Sequence, residues 1–147
     1  KNLMLAPLVK SLDRCIDAIH SADLIILGPG SFLTSVIPPL LVRDISNAIN
    51  ASNAHCVFVE NIVSENSPAA SLTLDEKLTW IKDNIGSLPI DSVICHDQTT
   101  TSSILPVIHA DLSCPDVAHY HDREKLIQAL ERCVDSIASD IPNKAVG

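Results

Sequence analysis

Aromatic residues are scarce in this chain: Phe, Trp and Tyr together make up 3% of 147 residues. A core without them has to be built from Leu, Ile, Val and Ala. That suits helices packed on a buried sheet and counts against an aromatic-rich β-sandwich. Clustered basic residues are also missing, and the formal charge is −8. Binding to a phosphate backbone needs grouped Lys and Arg, so nucleic acid and an anionic membrane are not expected partners. A small phosphorylated ligand remains open, because backbone N–H groups hold phosphate without side-chain charge. No apolar run approaches the ~20 residues of a membrane span, and no signal peptide is visible. There is no C-x-x-C pair among the five cysteines, Cys15, Cys56, Cys95, Cys114 and Cys133. Their number is odd. Cys15 and Cys133 fall on apolar helix faces and Cys56 and Cys95 in apolar strand runs, so buried reduced thiols and a cytoplasmic location are expected.

What is present is a 46% hydrophobic content in a length suited to one domain. Residues 1–147 therefore read as a single α/β domain. The chain opens on Lys1 and reads as structured from its first residues, which predicts a piece of a longer protein. Val9, Leu12, Cys15, Ile16 and Ile19 recur at helical spacing and predict a helix over 9–20. Residues 24–27 predict a buried strand. Pro38 and Pro39 suit a first helical turn, followed by an amphipathic helix through Leu41, Ile45, Ala48 and Ile49 to about Ser52. Residues 55–60 read as the next strand and 61–72 as a long loop. Thr73 and Glu76 form a T-x-x-E capping box, and the helix they open runs to a stop at Gly86. Strands are expected over 91–95 and 107–112, a polar surface loop over 98–103, and a short extended piece over 117–120. Asp122 should cap a last helix carrying Leu126, Leu130, Cys133, Val134 and Ile137. Strand–helix alternation predicts a Rossmann-like, three-layer α/β/α fold with a mainly parallel sheet.

The most informative stretch is A-D-L-I-I-L-G-P-G-S-F-L-T-S-V-I-P over 22–38. A strand-like apolar run ends in a glycine loop that leads into hydroxyl residues and a helical pattern. Ligands of open α/β sheets sit outside the carboxyl ends of strands, and a helix N-terminus favours anions. Gly28, Pro29, Gly30, Ser31, Thr34 and Ser35 are therefore candidates for holding a phosphate, with Asn61 at the end of the next strand as a further contact. A dinucleotide G-x-G-x-x-G is ruled against by Leu33 at the third glycine position and by Glu60 lying too far downstream. Neither G-x-x-x-x-G-K-[ST] nor G-x-S-x-G occurs. The competing reading is a tight β–α turn stiffened by Pro29.

This segment resembles the gluconeogenesis factor family, the YvcK-like proteins, which group with the 2-phospho-L-lactate transferase CofD. The resemblance continues through F-V-E-N-I (58–62), S-P-A-A (67–70) with Leu72, Leu74, Lys77 and Leu78, and Y-H-D-R (120–123). It covers nearly the whole chain, and only the C-terminal half of the family's length. The family's N-terminal G-G-G-T-G loop has no counterpart here, so the resemblance implies that part of the nucleotide site belongs to an absent N-terminal half. It further implies a Rossmann-like fold and a regulator that binds a UDP-sugar and supports cell shape and wall synthesis during gluconeogenic growth, without an established enzymatic activity. The alternative branch implies transfer of a phospholactyl group from a nucleotide to a deazaflavin acceptor, with a divalent cation as the only cofactor to consider. Where the family has R-H-D-T, this chain has Tyr120, His121, Asp122 and Arg123. Tyr120, His121 and Asp122 are thus candidates for the pocket edge, whereas the family's Arg and its phosphorylated Thr are replaced. Association into a homo-oligomer is compatible with all of this.

Other candidate chemistry is weaker. His119 and His121 could share one face of an extended strand, but no further metal ligands stand at a diagnostic spacing. Cys95 and His96 are strand neighbours that point to opposite faces, a poor arrangement for a thiol and its base. Asp97, at a strand end, is a weak pocket candidate. Trp80 lies beside an apolar helix face and is read as packing.

Overall fold

Alternation within two short strands sets the layers. In His55–Val59 (β2) and Ser92–Cys95 (β3), nearly every side chain is buried, as expected of a parallel sheet covered on both faces. Cys56, Phe58, Val93 and Cys95 point into one core, while Val57, Val59 and Ile94 point into the other. The computed structural model describes residues 9–117 and 119–140. In chain order the remaining elements are Asp13–His20 (α1), Leu24–Leu27 (β1), a π-helical turn Phe32–Val36, Ile37–Leu41 (α2), Arg43–Ala51 (α3), Leu74–Ile85 (α4), Val107–His109 (β4) and Arg123–Asp140 (α5).

The four strands are all parallel and follow the order β1-β2-β3-β4. Right-handed crossovers that keep stepping the same way place their helices on one face. The α2, α3 and α4 side chains Ile37, Leu40, Ile49, Leu78 and Ile81 accordingly share one core with the Phe32 ring. Helix α5 covers the opposite face through Ala129, Cys133, Leu126 and Leu130. This is the three-layer architecture expected. No helix among the described residues is long and apolar enough to cross a membrane.

Capping chemistry places α4 as read. Thr73 Oγ1 accepts from the Glu76 N–H at 3.2 Å, and Glu76 Oε2 accepts from the Thr73 N–H at 2.7 Å. Gly86 closes the helix at φ +86°. Asp122 Oδ1 accepts from the Lys125 N–H at 3.0 Å and opens α5. Trp80 packs edge-on against Phe32, with ring centroids 6.0 Å apart.

Other expectations need correction. Helix α1 begins at Asp13 rather than Val9, because Leu12 is extended (φ −78°, ψ 140°). The helix expected after the prolines breaks at Val42, also extended, giving α2 and α3. Strand β4 stops at His109, short of Leu112. Among the described residues of the extended piece expected over 117–120 there is no strand: the Tyr120 N–H donates to the Val117 carbonyl, and an isolated antiparallel bridge joins Ser113 to His121. Ala118 lies outside the described residues, as does the side chain of Ile137.

The thiols divide by position. Cys56, Cys95 and Cys133 are buried, but Cys15 is exposed, since α1 buries none of its residues. Burial, with Asp91 nearby, pushes the Cys56 thiol up to about 12. Burial also pushes Cys95 up to about 12, with Glu60 adding to the effect. Only the thiolate attacks a disulfide reagent. At pH 8 the folded protein is expected to react fastest at Cys15 and more slowly at the half-buried Cys114. Cys56, Cys95 and Cys133 should react only after unfolding, which peptide mapping of a labelled time course would show. Early labelling of Cys95 would mean that the core around it opens readily.

Candidate functional site

The carboxyl ends of β1, β2 and β3 face one edge of the sheet, and three loops meet there. Gly28 ends β1 at φ +82°, and Gly30 follows at φ +159° after a cis Gly28–Pro29 bond. A Cβ on Gly28 would stand 2.8 Å from the Val59 carbonyl oxygen of the neighbouring strand. The loop therefore needs glycine at that point both for its backbone angle and for the close approach. Beyond it, the chain enters the π-turn, where Thr34 and Ser35 are exposed and Phe32 is buried.

Asn61 is where the glycine loop meets its neighbour. Its Nδ2 donates to the Gly30 carbonyl at 3.2 Å, and the same residue lines a polar cleft of about 280 Å³. The cleft lies between the β2 and β3 ends, the 61–72 loop and the first turns of α4. Its polar lining includes Glu60, Glu65, Thr73, Lys77, His96 and Asp97. Lys77 Nζ meets both Glu60 carboxylate oxygens, at 2.8 and 3.1 Å. Both side chains are mostly buried, at 13% and 14% exposure, and the ammonium sits 5.9 Å from the centre of the Phe32 ring. Charged groups this deep persist only when paired and hydrogen-bonded.

Glu65 changes the reading of the glycine loop. Its Oε1 accepts from the Phe32 N–H at 3.0 Å, so a carboxylate of the chain itself occupies the entry to the helical turn. Burial pushes this carboxyl up, but the Ser31 hydroxyl, the Phe32 N–H and the Ser67 hydroxyl, with Lys77 nearby, outweigh it and hold its pKa below the usual range. Its Oε2 is buried without a hydrogen-bond partner. An incoming phosphate would meet negative charge at Phe32.

Of the candidate residues, the structure gathers Gly28, Pro29, Gly30, Ser31 and Asn61 at one edge. It adds His121, whose Nε2 lies 3.1 Å from the Glu60 carbonyl oxygen. Asp122 uses its carboxylate to cap α5. Tyr120 is 61% exposed and rests edge-on against His119, with ring centroids 4.7 Å apart, outside the cleft lining. His119 and His121 therefore have different surroundings. Among the described residues no three His, Cys, Asp or Glu side chains converge in a way that could hold a metal ion. Cys95 points into the core while His96 Nδ1 accepts from the Leu112 N–H at 3.1 Å, so the two do not form a nucleophile and base.

Lys77, Glu65 and Glu60 were missed as site residues. For Lys77 a signal existed: Leu74, Lys77, Leu78 and Ile81 share the i, i+3, i+4, i+7 stripe of α4, and a lysine on an apolar stripe needs a buried partner. Nothing local marks Glu65, because its partner at Phe32 lies 33 residues away.

Comparison with known proteins bears on the family and the fold. The sequence profile of the family described as 2-phospho-L-lactate transferase CofD matches residues 1–136. A provisionally named gluconeogenesis factor of Pasteurella multocida is 39% identical over 135 residues, covering 89% of this chain and 44% of that protein. The Gluconeogenesis factor of Halalkalibacterium halodurans is 31% identical over 127 residues, covering 86% and 39%. The crystal structure of a UPF0052 family member from Bacillus halodurans superposes with a TM-score of 0.78 at 26% identity, covering 89% of this chain and 50% of that one. The chain thus spans about half the length of the relatives it matches.

Proposed function

The chain belongs to the CofD family, and on that premise we propose that it acts as a gluconeogenesis factor binding a nucleotide-sugar of the UDP-sugar class, in support of cell shape and wall synthesis during gluconeogenic growth. The observation that carries the reading is the junction at Asn61, which ties the glycine loop to a polar cleft. In this reading the diphosphate lies on the N–H groups of Gly30 and Ser31, with the Thr34 and Ser35 hydroxyls beside it. The hydroxyl-rich sugar enters the cleft toward Asn61, where Glu60, Glu65 and Asp97 outnumber Lys77. An acidic cleft of that kind accepts a neutral polyol through its hydroxyl donors and repels phosphate. His121 backs this edge from the Glu60 carbonyl. The names borne by the curated relatives support the gluconeogenesis role.

Calorimetric titration of UDP-N-acetylglucosamine into the full-length protein, with GDP as comparator, tests this. Saturable binding of the UDP-sugar without turnover is the expected result. Binding of GDP alone, or turnover of a phospholactyl-nucleotide with a deazaflavin acceptor, would replace the reading with a transferase.

Two substitutions locate the phosphate. Ser31→Asp should weaken UDP-sugar binding by more than about tenfold, because it sets a second negative charge against it. Glu65→Gln removes a charge from the same place and should strengthen binding by about tenfold. If neither substitution moves the affinity, the phosphate is held elsewhere.

A further inference from the structure

His96 follows β3 directly and lines the polar cleft. Its ring is held by the backbone beyond β4. The Leu112 N–H donates to Nδ1 at 3.1 Å. Leu112 is fully buried, and a buried backbone N–H left without an acceptor is costly. Because a backbone N–H can only donate, Nδ1 presents its lone pair and the ring proton sits on Nε2. Asp111 does not compete for the ring. Its Oδ1 lies 3.6 Å from Nδ1, but it already accepts from the Ser113 N–H at 3.0 Å and from the Ser113 hydroxyl. Its Oδ2 takes Lys125 Nζ at 2.7 Å. Among the described residues nothing accepts from the His96 Nε2–H.

That proton matters because the cleft is short of donors. Glu60, Glu65 and Asp97 in its lining are acceptors when ionised. Its donors are largely spent inside the chain. Lys77 meets Glu60, Asn61 Nδ2 the Gly30 carbonyl and the Ser64 hydroxyl the Ala70 carbonyl. Thr73 is engaged in the α4 cap. His96 also lines a second, wider cavity of about 780 Å³, but Arg132 and Gln98 bring donors of their own there.

A ligand made only of hydroxyls can meet carboxylates by donating to them. An amide carbonyl cannot donate, and stranded among carboxylates it would lose its hydrogen bonds to water without replacement. An imidazole N–H fixed in place is the partner such a carbonyl needs. Ile62, Ala69 and Leu72 line the same cleft and give a methyl group a place out of water. We infer that His96 is a specificity-determining residue of the cleft. Its Nε2–H donates to the carbonyl of an acylamino sugar, so the site prefers a 2-acetamido sugar to one with a hydroxyl at that carbon. The inference rests on the nucleotide-sugar reading above and adds to it the residue that selects the sugar.

Calorimetric titration of UDP-N-acetylglucosamine and UDP-glucose into the full-length wild type, His96→Asn and His96→Gln tests it. Asn places an amide oxygen where Nδ1 stands and keeps the Leu112 bond, but it does not reach the Nε2 position. Gln reaches that position with an amide N–H. The wild type should prefer the acetamido sugar by about tenfold, the worth of one well-made hydrogen bond. His96→Asn should lose about tenfold for UDP-N-acetylglucosamine and less than about twofold for UDP-glucose, and His96→Gln should keep most of the preference. Thermal melts check that both variants are folded. Should His96→Asn fail to fold, nuclear magnetic resonance of wild-type protein labelled with ¹⁵N-histidine replaces it. The His96 proton must then be on Nε2 in the free protein, and its exchange with water must slow more with UDP-N-acetylglucosamine than with UDP-glucose. No preference in the wild type, equal loss of both ligands in His96→Asn, a preference unchanged by that substitution, or a ring proton on Nδ1 would each overturn the inference while leaving the nucleotide-sugar reading in place. A wild type that binds neither ligand would overturn that reading, and the inference with it.

Discussion

Lys77→Met is expected to destabilise the protein by about 3–5 kcal/mol, the range for removing one partner of a buried ion pair. Glu60 would be left at 14% exposure with no counter-ion beneath the cleft. Other cations do not replace it: the salt bridges of the described residues otherwise involve His55, His96 and Lys125, each with a different carboxylate. A mostly buried carboxylate left without its partner costs free energy. The cation–ring contact with Phe32 disappears at the same time. Adding Glu60→Gln to Lys77→Met should recover at least half the loss, because an uncharged amide is far cheaper to bury than a lone carboxylate. Urea unfolding of the wild type, both single variants and the double variant makes this a thermodynamic cycle. A loss below about 1 kcal/mol in Lys77→Met would put the pair in the class of solvent-screened surface bridges.

The second large effect is expected at Gly28. Two glycines in this chain share nearly the same backbone angle, φ +82° at Gly28 and φ +86° at Gly86, but not the same surroundings. Gly86 ends α4 with nothing within 4 Å of an added Cβ. Alanine there should cost only the left-handed conformation, about 1–2 kcal/mol. At Gly28 the Cβ would press on the Val59 carbonyl at 2.8 Å, a main-chain atom that cannot rotate away. The strand itself would have to shift, adding a further ~1–3 kcal/mol of the kind seen on overpacking. Gly28→Ala should therefore lose about 2–5 kcal/mol, and the difference from Gly86→Ala isolates the contact with Val59. Equal losses at the two positions would mean that the β1–β2 separation relaxes freely. The ligand site would then be less rigid than the loop geometry indicates.

Local chemistry made much of this fold legible. The T-x-x-E box and Gly86 delimit α4 because capping groups act within four residues of one another. Strands β1, β2 and β3 stand within a residue of their expected bounds; in β2 and β3 this is because a strand covered on both faces needs a mostly apolar run. The misplacements share a cause. Leu12 and Val42 carry no local signal that marks a helix boundary, and both are extended where the chain turns to pack. Around 117–120 the described residues form no strand, and the Tyr120 N–H donates to the Val117 carbonyl instead. Cys15 fits a helical stripe, yet the α1 stripe is not buried.

The site divides along the same line. The glycine loop, Asn61 and the Asp122 cap could be read directly, since each acts on backbone a few residues away or at a strand end. The Lys77–Glu60 pair, the Glu65 carboxylate on Phe32 and the His121 contact with Glu60 could not. They join residues 17, 33 and 61 positions apart.

By itself, then, the sequence determined the element types, the parallel layering, the family and the position of the glycine loop. These follow from periodicity, capping and steric rules that operate over a handful of residues. Only the tertiary structure decided that the cleft is acidic and that a carboxylate already stands at the helical turn. Coulombic and packing contacts act through space, and their partners are set by how the strands line up rather than by their distance along the chain.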